Sequence, residues 1–226
     1  VISIVVPIWD EVGSLPHLAE EVMARDIGDK IELILVEDGS TDGSAEAMDE
    51  MAQEDERIVP VHLGAHRGKS AAYTAGFKHA RGDIIVTLDG DLQDDPADVP
   101  LLLDKLDDDH DAVIGWRRTR CHPYLSKVVP SRLFNLLVRI VFRLGLHDTN
   151  CPIRAIRARF VRELELAPGE HRYLPVLLAL RGARLGEVTV SHRPRKYGDA
   201  KFGSPFRLAE GIACLLRLGL WGERRG

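Results

Sequence analysis

Cysteine is scarce in this chain: its 226 residues hold only Cys121, Cys151 and Cys214. Three widely spaced thiols give neither a zinc-ligand pattern nor a disulfide framework, and they favour a reducing compartment. Long hydrophobic runs are missing as well. No uncharged apolar stretch reaches the ~18 residues that a membrane-spanning helix requires, so none is expected. The opening segment Val1-Ile-Ser-Ile-Val-Val6 lacks a basic leader and is broken by Pro7, which argues against a secretory signal. Aromatic residues amount to 6%, too few beside the arginines to suggest base stacking, so nucleic acid is not the expected partner. No internal repeat or low-complexity tract stands out.

Positive charge is short in the first half. Residues 1–112 carry 8 Lys and Arg against 27 Asp and Glu, a net charge of −19. Residues 113–226 carry 22 against 8, a net charge of +14, so the overall −5 conceals two opposite halves. An acidic half can hold metal, and a basic half can face phosphates or an anionic membrane. Two ordinary solvated surfaces would give the same tally. Length and a hydrophobic share of 45% suit one large domain, alone or with an appendage.

What the chain does have is alternation. Short apolar, β-branched runs at 2–6, 31–36, 58–63, 84–88 and 112–115 read as strands. Between them, 15–24, 44–54, 70–80 and 98–106 read as helices, with Ser14 or Asp10 and Thr41 or Asp42 as candidate caps. That order predicts an α/β fold: a mainly parallel, Rossmann-like sheet flanked by helices.

Asp89-Gly90-Asp91 lies where the fourth predicted strand ends. In an open α/β sheet that edge is where ligands bind, and paired hard oxygens there suit Mg²⁺ or Mn²⁺ with a phosphorylated ligand. An acidic turn alone would look the same. Parallel topology, however, brings Asp10-Glu11, Asp38-Gly39-Ser40 and Asp89/Asp91 to one edge. Asp38 can there accept a hydrogen bond from a base N–H, whereas as a turn residue it would serve only its own backbone. Gly64 to Ser70 resembles a P-loop, but it has three residues between its glycines where the phosphate cradle needs four.

In the second half, 131–146 reads as an apolar helix on which Arg132, Arg139 and Arg143 fall within about 40° of one another. The stretch 203–221 is a second amphipathic candidate. Helices of this kind can lie in a bilayer interface, or they can pack on the sheet or between two copies.

The segments Val6-Pro7-Ile8-Trp9-Asp10-Glu11, Val36-Glu37-Asp38-Gly39-Ser40-Thr41-Asp42, Gly68-Lys69-Ser70-Ala71-Ala72 and Asp89-Gly90-Asp91-Leu92-Gln93-Asp94-Asp95-Pro96 together resemble family 2 glycosyltransferases of the GT-A fold. Within that family they look most like the polyprenyl-phosphate (dolichyl-phosphate) mannosyl- and glucosyltransferases. Gly115 to Arg118, Ser131 to Asn135, Asp148 to Arg154 and His192 to Phe202 extend the resemblance to about residue 205. Three departures stand out: Asp10 for a usual Asn, Cys151-Pro152-Ile153-Arg154 for a more usual Gly-Phe-Arg stretch, and Ala200-Lys201-Phe202 for a usual Ser-Lys-Tyr.

The resemblance implies a nucleotide-sugar site of Pro7, Trp9, Glu11, Val36, Asp38, Gly68, Lys69, Asp89, Gly90, Asp91, Gln93, Arg195 and Lys201. In it Asp89, Asp91 and Gln93 would hold Mg²⁺ or Mn²⁺, and Arg195 and Lys201 would close over the diphosphate. The lipid phosphate would meet Arg117, Ser131, Arg132 and Asn135, and Asp148 is the candidate base or orienting group. Asp91, Arg117, Arg132 and Asp148 would thus carry catalysis.

The expected domains are a GT-A catalytic domain, 1–202, and a membrane-interface segment, 203–226. The first divides into a nucleotide and metal half, 1–115, and an acceptor half, 116–202. The expected reaction is metal-dependent, inverting transfer of one sugar to a polyprenyl or dolichyl phosphate. Mannose from GDP-mannose is the first expectation; UDP-glucose or UDP-N-acetylhexosamine donors, a saccharide acceptor and a non-catalytic docking role are the alternatives. The expected place is the cytoplasmic face of a membrane, as a peripheral, monotopic protein or one whose natural membrane segment is missing. A homodimer or a separate membrane subunit stays open.

Overall fold

Period-two burial organises the sheet. Along the first strand, β1 (Ile2–Ile8), Ile4, Val6 and Ile8 enter one apolar layer and Val5 the other. A strand covered on both faces is an almost unbroken apolar run, and β2 (Ile31–Glu37) is buried throughout. Each fully buried Val, Leu or Ile contributes about 1.5–3 kcal/mol.

The computed structural model describes residues 1–25, 30–118, 136, 138–142 and 144–197. The remaining strands are β3 (Ile58–His62), β4 (Ile84–Thr87), β5 (Ala112–Trp116), β6 (Arg154–Arg157) and β7 (Leu185–Thr189). They form one sheet in the order β3-β2-β1-β4-β6-β5-β7. All neighbours run parallel except β6, which is antiparallel to both β4 and β5. Strands from the acidic and basic halves therefore share one hydrogen-bond ladder.

Helices α1 (Leu15–Met23), α2 (Ser44–Glu54) and α4 (Val99–Lys105) cover one face; α3 (Lys69–His79) and α5 (Leu174–Leu180) cover the other. Gly76 lets α3 approach the sheet closely, since a Cβ there would lie 2.3 Å from Val5 Cγ1. The predicted strands and helices of the first half are all present, with ends shifted by one or two residues. Two expected caps differ. The Ser14 hydroxyl makes no cap bond and instead donates to the Gly90 carbonyl, at 2.7 Å. Gly43, with φ +93°, occupies the N-cap of α2.

Of the predicted helix 131–146, residues 136 and 138–142 are helical and the chain has left the helix by 144. There Val138 is buried, whereas Leu136, Ile140 and Val141 are 49, 65 and 56% exposed. Arg139 is exposed beside them. Arg132, Arg143 and the segment 203–221 lie outside the described residues. Among the described residues, no helix is long and apolar enough to cross a membrane.

Candidate active site

The loops that follow β1, β2 and β4 converge on one sheet edge, as the parallel topology requires, and line a cavity of about 370 Å³. Its first end is built by the β2 loop. The buried Asp38 carboxylate accepts hydrogen bonds from the backbone N–H groups of Arg67, at 2.7 Å, and Gly68, at 2.8 Å, and lies 3.0 Å from His66 Nδ1. Asp38, expected to accept from a base N–H, also accepts from the chain's own loop, whose N–H groups would otherwise lack partners. Gly39 is required at φ +73°, because a Cβ would lie 2.2 Å from His66 N. His66 stacks on Trp9 with ring centroids 4.2 Å apart. Asp10 takes φ +49°, which a short polar side chain tolerates, and its carboxylate accepts from Thr41 N at 2.7 Å.

At the centre stand Asp89 and Asp91. Lys69, the first residue of α3, pairs with Asp89. Arg195 reaches back to Asp91 Oδ2 at 2.5 Å and to Glu11 Oε1 at 3.2 Å. Burial pushes the Asp91 carboxyl up, and the charge of Asp89 adds to it. Burial opposes the Lys69 charge, but the neighbouring carboxylates, Asp89 foremost, outweigh it and hold the ammonium protonated. Between Asp91 and Gln93 the buried Leu92 adopts φ +59°, a local strain of the kind that clusters at functional loops. Behind them Asp94 is buried with Oδ1 unpartnered among the described residues, and burial, then the charge of Asp89, lifts its carboxyl to about 7.

The far wall comes from the second half. Arg117, just after β5, donates from Nε to Asp148 Oδ2 at 2.9 Å and from Nη2 to the Asn150 carbonyl at 3.0 Å. Asp148 is 1% exposed. It therefore serves as a partner of Arg117. Arg154 on β6 is 2% exposed, with Nε and Nη1 lacking partners among the described residues, as does the Tyr73 hydroxyl. Both line the cavity.

Of the residues expected at the nucleotide site, Pro7, Trp9, Glu11, Asp38, Gly68, Lys69, Asp89, Gly90, Asp91 and Arg195 line this cavity, and so does Arg117. Val36 does not: it is wholly buried on the side of β2 that packs under α3. Gln93 stands just outside the lining, its side-chain amide donating to the Arg193 carbonyl at 3.3 Å. Ser131, Arg132, Asn135 and Lys201 lie outside the described residues. Sequence reasoning missed Tyr73, Arg154, His171 and Arg172, which also face the cavity. His171 hydrogen-bonds Ser70 Oγ through Nδ1 at 2.9 Å. Arg154 opens β6 between the apolar Ile153 and Ala155, and that placement was the available signal for it.

Asp89 and Asp91 supply hard oxygens with compensating cations already beside them. Among the described residues, no cluster of three or more His, Cys, Asp or Glu is arranged to enclose an ion. Two carboxylates fit Mg²⁺ or Mn²⁺ whose coordination is completed by ligand phosphates rather than by an all-protein cage.

A parallel nucleotide-type half with paired aspartates at its edge, joined to a second half through an antiparallel strand, defines a GT-A fold. Solved structures agree. Glucosyl-3-phosphoglycerate synthase from Mycobacterium tuberculosis in complex with UDP superposes with TM-score 0.72 at 20% identity, over 96% of this chain and 79% of that one. A mannosyltransferase from Pyrobaculum calidifontis in complex with GDP-Man and Mn²⁺ gives TM-score 0.63 at 18% identity, over 98% and 71%. The chain belongs to glycosyl transferase family 2, whose profile matches residues 3–165. It is 36% identical over 208 residues to the dodecaprenyl-phosphate galacturonate synthase of Rhizobium johnstonii, covering 89% of this chain and 62% of that protein. It is 34% identical over 204 residues to an undecaprenyl-phosphate 4-deoxy-4-formamido-L-arabinose transferase of Salmonella paratyphi A, with the same coverage. The chain thus spans 62% of the length of these curated relatives.

Proposed function

We propose that this chain carries the catalytic site of an inverting glycosyltransferase that moves one sugar from a nucleotide diphosphate to a polyprenyl phosphate at a membrane surface. The observation that carries the reading is the single cavity with Asp89 and Asp91 at its centre and Arg117, fixed by Asp148, on the opposite wall. The names of both relatives, galacturonate synthase and formamido-arabinose transferase, begin with a polyprenyl phosphate.

In this reading the nucleoside lies at the Trp9, Asp38 and His66 end. The diphosphate lies at Asp89 and Asp91, where a bound Mg²⁺ or Mn²⁺ would offset charge growing on the leaving group. Lys69 and Arg195 add fixed cations there. Arg117, held in one orientation by Asp148, positions the acceptor phosphate for in-line attack. The attacking phosphate oxygen is already largely anionic at pH 7, since the second pKa of a phosphate is about 6. Asp148 therefore needs only to orient Arg117. Mannose, the sugar expected from sequence, is joined as a candidate by the acidic and amide-bearing sugars of the two relatives.

The test is a donor-by-acceptor assay with purified protein, Mg²⁺ or Mn²⁺ and a short polyprenyl phosphate. GDP-mannose, UDP-glucose, UDP-N-acetylglucosamine and UDP-galacturonate are supplied in turn. A charged glycolipid formed from one donor is the expected result. Donor hydrolysis without glycolipid would keep the donor site and move the acceptor to another class.

A further inference from the structure

Arg193 lies two residues before Arg195 and is tied to several separate parts of the molecule. Its backbone N–H donates to the Gln93 carbonyl at 2.8 Å, and the Gln93 side-chain amide donates back to the Arg193 carbonyl at 3.3 Å. Its guanidinium donates from Nε to Asp95 Oδ2 at 3.0 Å and from Nη1 to Glu21 Oε2, on α1, at 2.7 Å. Nη2 lies 2.5 Å from the same Asp95 oxygen. The segment 191–197 is fastened at two further points. Ser191 N donates to the buried Asp98 carboxylate at 2.6 Å. The Tyr197 ring stacks on His17 at 5.2 Å and packs against Gly13.

These ties have a common result. The chain after β7 runs along the loop that carries Asp91 and Gln93, and Arg195 is delivered between two anchors onto Asp91 and Glu11. A long guanidinium side chain loses substantial rotamer freedom when held in place, so a fixed backbone lowers the further cost of placing Arg195. The reciprocal bond also orients the Gln93 amide: its NH₂ group faces Arg193, which leaves its carbonyl oxygen as the atom available to other partners.

We propose that Arg193 is a positioning residue, which clamps segment 191–197 to the loop 91–95 and so places Arg195 for the donor diphosphate. It touches no reacting group itself. This rests on the donor site assigned above, and it assigns Arg193 a role that its side chain performs entirely outside the cavity.

A double-mutant cycle tests it, read as the affinity of the full chain for GDP and for UDP in Mn²⁺, by calorimetry, with thermal melting alongside. Arg193→Met and Arg195→Met are each expected to weaken nucleoside-diphosphate binding about fivefold or more, and the double variant to be no weaker than Arg195→Met within about twofold, because the two residues act as one unit. Arg193→Lys, which can keep one contact to Asp95, should recover part of the loss. Glu21→Gln weakens one arm of the clamp by removing its charge, at a half-buried position on α1. It gives the same non-additive pattern at smaller size, and it serves if Arg193→Met does not fold. Losses that multiply in the double variant, or a lowered melting point with unchanged affinity, overturn the clamp while leaving the donor site intact. Wild-type protein that binds neither nucleotide overturns the donor site and the clamp together.

Discussion

Asp89 and Asp91 show what single residues contribute when burial and charge oppose each other. Asp91 is nine-tenths buried, and burial, then the charge of Asp89, pushes its carboxyl up and opposes its ionisation. Lys69 and Arg195 answer that repulsion and keep the pair available to a divalent ion. Replacing Asp91 with Asn keeps the shape and removes one hard anionic oxygen. It is expected to lower kcat/KM at least about 100-fold at saturating Mg²⁺ and Mn²⁺. Wild-type turnover in that variant would exclude Asp91 as a metal ligand. Much of this centre was legible in the sequence, because parallel strands place their following loops on one edge whatever else the chain does. The partners were not. Nothing in the spacing of Asp38 shows that its oxygens accept from the Arg67 and Gly68 amides, and the period-two alternation turns Val36 to the α3 side of β2, away from the cavity.

At the scale of elements, the first five strands and four helices follow from apolar periodicity and turn residues. Strands β6 and β7 and helix α5 did not, since β6 spans only four residues and carries a buried Arg154 that breaks the apolar signature. Asp111 shows how these late elements are joined. It precedes β5, accepts from Arg184 N and Nε at 3.0 Å each just before β7, and pairs with Arg159 just after β6 at 2.6 Å.

Hydrogen bonds from the Arg184 side chain, then its backbone, hold the Asp111 carboxyl down at about 2. A depressed carboxyl stabilises the fold above its unfolded value near 4, and that stability is lost as pH falls from about 4 through 2. Asp111→Asn is expected to cost about 1 kcal/mol at pH 7, kept small because both arginines are more than half exposed, and to flatten the acid limb. Denaturant melts at pH 7, 4 and 2.5 would measure both effects; a variant as acid-sensitive as the wild type would contradict them.

Over the whole molecule, the charge asymmetry reads as orientation. If the proposed membrane-surface reading holds, the basic second half, with Leu136, Ile140 and Val141 exposed, would be the face that anionic lipid holds through charge and apolar insertion. Replacing these three residues with Ser is expected to lower partition onto phosphatidylglycerol-containing vesicles about tenfold or more, given about 1 kcal/mol or more per inserted side chain. Raising salt should weaken the wild type further. Flotation unaffected by either change would exclude this face as the lipid contact. The sequence suggested a stripe of arginines, of which only Arg139 is described, but which apolar residues face outward depends on how the helix docks, and only packing decides that.

The place of β6 between β4 and β5 has a consequence for how the chain is made. As the polypeptide emerges from its N-terminus, β5 is complete while the strand that joins it to β4 does not yet exist. The edges of both remain open until residues 154–157 follow, and open edges invite mispairing. A nascent chain halted after Trp116 would hold Asp38, Asp89 and Asp91 on the loops of strands β1 to β4, with β5 present but lacking the strand that joins it to them.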